Sequence, residues 1–142
     1  QFMKKYLAIC ILCVLMTVLF GACYSSPIQS KLSSYQWKLE DISYLDGTDI
    51  ADTNKDEMRQ VTLVFEENTF TLTDQTNSKI QTGTYLAEKA SGFLECYKLD
   101  ISFDDSQNKA IGVYGIRRYV DGSVVATVTI PTEDKVFSFV AE

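Results

Sequence analysis

The chain has 142 residues with 13 basic and 19 acidic side chains, no histidine and a net charge of −6. An acidic balance argues against nucleic acid, whose binders carry basic patches. The lack of histidine excludes a histidine-based catalytic triad or zinc site, and the length suits one domain with its own core.

In chain order, the first and most specific segment is Met3–Cys23. Lys4 and Lys5 form a short positive region, Leu7–Phe20 an apolar core broken only by Thr17, and the small residues Gly21 and Ala22 precede Cys23. That three-part order predicts a secretory signal. The core falls short of the roughly 20 apolar residues of a spanning helix; an uncleaved anchor and a plain secretory leader stay open as alternatives. Phe20-Gly21-Ala22-Cys23 resembles the lipobox of bacterial lipoproteins. The resemblance implies cleavage before Cys23, a diacylglycerol on its sulfur and a lipid-anchored location in the bacterial cell envelope, outside the cytoplasm. Residues 1–22 then form the leader, with Gln1 and Phe2 ahead of Met3; 23–34 a lipidated polar tether rich in serine; and 35–142 the folded domain. Lys4 and Lys5 belong to the leader, which holds no acidic residue, so the remainder is more acidic still, near −8. The lipid, not charge, would hold such a domain at a membrane.

Cysteine usage fits this division. Cys10 and Cys13 lie inside the leader and Cys23 takes the lipid, so Cys96 has no intrachain partner and reads as a small half-buried side chain.

After the tether come short runs rich in Val, Ile, Thr, Tyr and Phe, separated by turn residues, the pattern of β-strands. Strands are predicted at 35–43, around Trp37 and Leu39; 61–66, with Val61, Leu63 and Phe65 on one face; 69–73; and 79–87, containing Gly83-Thr84-Tyr85. Four more are predicted at 93–103, 109–120, 122–130 and 135–140, and Asp121-Gly122 carries a hairpin signal. Between the first two strands lies an acidic loop, Asp46 to Glu57. Its Asp52-Thr53-Asn54-Lys55-Asp56 matches the first ligand positions of a calcium loop, but Glu57 replaces the required glycine and Leu63 the closing glutamate, so a solvated loop and no metal are expected. Eight short strands with short connections predict an all-β fold, a single antiparallel, roughly eight-stranded barrel that removes its own edges. A partly open barrel or sandwich is the alternative.

The lipobox, Trp37 on the first strand and the central Gly83-Thr84-Tyr85 resemble the small bacterial lipocalin-like lipoproteins. Trp37-Lys38-Leu39 is also similar to the opening strand of META-type domains of small secreted proteins. Either resemblance implies a β-rich extracytoplasmic domain, and the lipocalin one implies a small apolar ligand.

Arg117-Arg118-Tyr119 is the most ligand-like pattern. Residues two apart on a strand share a face, so Arg117 and Tyr119 go with Ile111, Val113 and Gly115. Inside an apolar barrel the pair would hold a carboxylate by charge-assisted hydrogen bonds, a spacing similar to the Arg-x-Tyr pair of fatty-acid-binding proteins. The opposite face carries Tyr114, Ile116 and Val120, so alternation leaves the inward face open. The competing reading is an arginine packed over Trp37 or paired with an exposed carboxylate. Trp37, Tyr97 and Phe103 are candidates to line a cavity, or plain core. There is no G-x-S-x-G elbow or phosphate-cradling glycine loop, and Asp104-Asp105 reads as a turn; neither catalysis nor a cofactor is expected. The expectation is a lipid-anchored module holding a small apolar or amphipathic ligand, the alternative a filled barrel with a structural or protein-interaction role.

Overall fold

The computed structural model describes residues 27–51, 56, 60–90, 92 and 95–142. The leader, Cys23, Asp52–Lys55 and Phe93 lie outside them, and with them the expectations that fall there. The chain forms one helix, α1 (Pro27–Ser34), followed by eight strands: β1 (Trp37–Tyr44), β2 (Val61–Phe65), β3 (Thr69–Asp74), β4 (Lys79–Lys89), β5 (Tyr97–Phe103), β6 (Lys109–Arg118), β7 (Val124–Pro131) and β8 (Lys135–Ala141).

Each strand pairs antiparallel with the next, and β8 pairs back onto β1 from Tyr44↔Lys135 to Trp37↔Ala141, so the sheet is a closed up-and-down barrel. The seam between β1 and β2 is short, carrying only Trp37↔Leu63 and Lys38↔Thr62. Alternation decides the two faces: Val61, Leu63 and Phe65 of β2, Leu99, Ile101 and Phe103 of β5, and Ala126, Val128 and Ile130 of β7 are buried, while their neighbours are not. The outer face carries Lys38, Thr62, Glu88, Lys98 and Asp100 together with the exposed Val64, Leu86, Ile111 and Val113. Among the described residues no helix is long and apolar enough to cross a membrane.

Among the described residues, buried side chains pack together in the interior of the barrel. Aromatic side chains fill it, with edge-on contacts between Phe70 and Phe103 at 5.6 Å and between Phe65 and Tyr85 at 5.2 Å. Gly83 on β4 makes this possible. A Cβ there would stand 2.2 Å from the Ser102 carbonyl oxygen and 2.7 Å from the Phe70 ring, so only hydrogen fits. The Tyr85 hydroxyl donates to the Glu67 carbonyl at 3.0 Å, tying β4 to the β2–β3 turn.

Two local features depart from the sequence expectation. The run 23–34 is not a tether throughout: its last eight residues are α1, with Ile28 and Leu32 almost fully buried against the barrel. Residues four apart share a helix face, and Pro27 suits the first helical position. Eight residues do not hold a helix alone in water, so docking of that apolar pair, and the 2.9 Å bond from the Trp37 Nε1–H to the Leu32 carbonyl, stabilise it. Packed structure therefore includes Pro27–Ser34, ahead of residue 35. Secondly, the β6–β7 hairpin has a longer loop than Asp121-Gly122 alone. Tyr119 N–H bonds the Ser123 carbonyl at 2.9 Å, Gly122 N–H bonds the Tyr119 carbonyl at 3.0 Å, and only Gly122 takes positive φ (85°). This is a turn followed by a left-handed glycine, the common three-residue hairpin.

The up-and-down order fixes two ends. The lower end gathers α1, the β2–β3 turn, the β4–β5 connection, the β6–β7 hairpin and the end of β8. The upper end gathers the other connections, including Ile50, which is buried in the core.

Candidate functional site at the lower mouth

Strand β6 runs from the upper to the lower end, and its even-numbered residues face inward: Gly112 and Tyr114 are buried, and Ile116 and Arg118 follow on the same side. Tyr114 sits opposite Tyr97 in the β5–β6 register. Its ring meets Tyr97 edge-on at 6.0 Å and Trp37 at 6.5 Å, and Trp37 in turn meets Tyr35 at 5.5 Å. Four aromatic rings thus close the lower end beneath α1.

Beyond them opens a cleft of about 420 Å³, walled by Lys31 of α1, Glu95, Arg118, Val124 and Ala141, with Tyr114 and Tyr35 at its base. Among the described residues, the Tyr114 hydroxyl is the one buried side-chain polar atom without a hydrogen-bond partner. Burial foremost, then the nearby Tyr35, Glu95 and Tyr97, push its pKa up to about 12. The Tyr35 hydroxyl is near enough to contribute to that shift, but no hydrogen bond closes between the two. Lys31 approaches Glu95 at 3.9 Å, a loose exposed pair, and Arg118 makes no ion pair among the described residues. A buried hydroxyl left unbonded costs about 1–3 kcal/mol, so it calls for a structural or functional explanation. Tyr114, Arg118 and Lys31 offer three sets of donors, beside the carboxylates of Glu95 and Glu142 and the apolar walls of Ile116, Val124 and Ala141.

The sequence-derived candidates separate on this structure. Trp37 and Tyr97 come together around Tyr114, although Trp37 is buried, with its N–H bound to α1. Phe103 lies at the other end, where it floors a wider upper cleft of about 500 Å³ rimmed by Lys79, Asp105, Lys109 and Glu133. Arg117 and Tyr119 share a face, as expected, but it is the outer one. The carboxylate clamp inside the barrel is therefore not formed by this pair. Gly112 and Tyr114 occupy the interior, and strict alternation puts every odd residue of β6 outside. Arg117 instead holds Glu40 in a two-pronged pair, Nη1 to Oε1 at 2.5 Å and Nη2 to Oε2 at 2.8 Å. Glu40 is the extra residue of a bulge in β1, where the register steps from Leu39↔Phe139 to Asp41↔Ser138. The bond to Glu40, and secondarily Tyr119, raises the Arg117 pKa above its ordinary value. Cys96 is free and half-buried.

The residues the sequence reading missed are Arg118, Tyr114 and Tyr35. The signal for two of them was present, since Tyr114, Ile116 and Arg118 form a period-two set. Comparison with protein-family models, with curated proteins and with solved structures finds no significant match. The fold and its lower mouth define the class without such help: a closed, eight-stranded antiparallel barrel with a filled centre and a polar-based cleft at one end.

Proposed function

We propose that the chain is a non-enzymatic, lipid-anchored lipoprotein of the bacterial envelope, extracytoplasmic and lipocalin-like in character, that binds a small amphipathic molecule with an acidic head at the lower mouth. The observation that carries this reading is the Tyr114 hydroxyl, buried and, among the described residues, without a hydrogen-bond partner, at the base of a cleft that also holds Arg118, which makes no ion pair among those residues. The head group meets Arg118, Tyr114 and Lys31; the apolar part lies along Ile116, Val124 and Ala141. The filled centre limits the ligand to the mouth.

The test is displacement of a fluorescent fatty acid. A hydrogen bond to a charged group contributes about 1.5–3 kcal/mol, so Arg118→Ala is expected to weaken binding roughly 10- to 100-fold, and Arg117→Ala to leave it unchanged. Equal binding by wild type and Arg118→Ala overturns the site. A second reading, an envelope protein whose filled barrel serves protein interaction, is favoured by the packed aromatic centre and predicts no displacement by any amphiphile.

A further inference from the structure

We propose that the lower end of the barrel rests on a phospholipid bilayer through the tip of the β6–β7 hairpin, Tyr119, Val120 and Val124, so that the lower mouth opens at the membrane surface. This rests on the reading of Cys23 as the lipid-bearing residue. Its geometric support is the correction to the tether. Because α1 belongs to the folded domain, only four residue steps separate Cys23 from Pro27. A chain spans at most about 3.3–3.6 Å per residue, so acyl chains on Cys23 hold the start of α1 within roughly 15 Å of the bilayer, which favours the end of the barrel that α1 covers as the one facing it.

That end carries the most exposed large hydrophobic side chain of the described residues. Val120 is fully exposed and stands out on this ground alone; Val124 and Tyr119 beside it are 53% and 47% exposed, less than Leu86, Ile80, Ile111 and Leu45 elsewhere on the barrel. Lys31 of α1 and Val124 at the hairpin base line the same cleft, so the helix and the hairpin stand side by side on the lower face. Valine favours the acyl region and tyrosine the interface between acyl chains and head groups. Asp121 sets the depth. Ser123 donates to its Oδ1 from Oγ at 2.6 Å and from N at 2.9 Å, which lowers its pKa and keeps it ionised. A charge two residues from Tyr119 must remain among the head groups, so the contact is shallow. The domain is acidic, so attraction to anionic lipid is not its source; zwitterionic lipid suffices. The contact can be weak on its own, because the anchor makes it intramolecular and raises its effective concentration.

The experiment uses the full chain, matured in a bacterial envelope and reconstituted into phosphatidylcholine vesicles with brominated or ordinary acyl chains. Val120→Trp places a reporter at the tip and Asn77→Trp one in the β3–β4 turn at the opposite end; the buried Trp37 is the background in both. Emission of Val120→Trp is expected to fall by roughly half or more in brominated vesicles, as at the acyl boundary, and that of Asn77→Trp and wild type to change little. The mass of the peptide starting at Cys23 is read on the same sample. An acylated Cys23 with Val120→Trp no more quenched than Asn77→Trp overturns the docking and leaves the anchor standing. An unacylated Cys23 with selective quenching at position 120 overturns the anchor and supports the docking. Neither acylation nor quenching overturns both.

Discussion

The Tyr114 hydroxyl is fully buried and closes no hydrogen bond among the described residues, although the Tyr35 hydroxyl is near enough to act on it. Tyr114→Phe deletes that oxygen and keeps the ring that packs on Trp37 and Tyr97 at 6.5 and 6.0 Å. No cavity of consequence opens, so the packing contribution is nearly conserved. What changes is the desolvation penalty of an unbonded hydroxyl, about 1–3 kcal/mol. The ligand-free variant is therefore expected to be more stable than wild type by that amount. For a domain of this length 1 kcal/mol moves the melting midpoint by about 3–6 °C, so a rise of at least a few degrees is expected. The same oxygen is the proposed donor to the ligand head, so a saturating fatty acid should raise the midpoint of Tyr114→Phe less than that of wild type. Urea unfolding followed by circular dichroism, with and without ligand, measures both effects; an unchanged m value shows that the unfolding reaction is the same. A variant that melts below wild type at equal m refutes the reasoning, because the hydroxyl must then be bonded in the native state. A double-mutant cycle with Tyr35→Phe would identify the partner, since bonded pairs show coupling and independent sites do not.

Four further outcomes follow from named contacts. Burial holds the Tyr85 and Tyr114 pKa values up at about 12, against an ordinary 10. The folded state thus favours neutral phenols, and the stability this confers is complete below pH 10 and falls as pH rises through 10 to 12, with about 1.4 kcal/mol per pH unit for each tyrosine as the ceiling and solvent screening reducing it. Alkaline urea titrations of wild type and Tyr114→Phe should show the shallower fall in the variant; equal slopes contradict it. Leu32→Ala is expected to destabilise by about 2–5 kcal/mol in a denaturant titration, whereas a mere tether would tolerate the change. Gly83→Ala forces a methyl against the Ser102 carbonyl and the Phe70 ring; overpacking of this kind costs about 1–3 kcal/mol, and a thermal melt at the wild-type midpoint would disprove it. Arg117→Ala breaks a pair whose members are 41% and 36% exposed, so solvent screening keeps the loss below about 1 kcal/mol; a larger loss would mean that the Glu40 bulge depends on it.

The strands and their turns were legible in the sequence because alternation is a local property. Val61, Leu63 and Phe65 announce a buried face in five residues, and the observed strands start and end within a few residues of the expected ones. Barrel closure was also within reach, since eight short antiparallel strands have few other ways to remove their edges. The helix was not. Ile28 and Leu32 are two apolar residues in a serine-rich run, and their four-residue spacing acquires meaning only when the open end of a barrel lies beneath it.

The site failed to be legible for a related reason. Period two tells which residues of β6 travel together but not which set turns inward, and Arg117 and Arg118 are adjacent, so one step of parity exchanges them. Tertiary packing made that choice: Gly112 is the residue that fits against the Thr129 carbonyl, and Tyr114 the one that meets Trp37 and Tyr97, so the even set went in and carried Arg118 to the mouth. By itself the sequence determined the strands and their alternation, both of which depend on neighbours in the chain. The inward parity of β6, the docking of α1 and the unpartnered Tyr114 depend on residues far apart in sequence, and only the closed barrel brings those together.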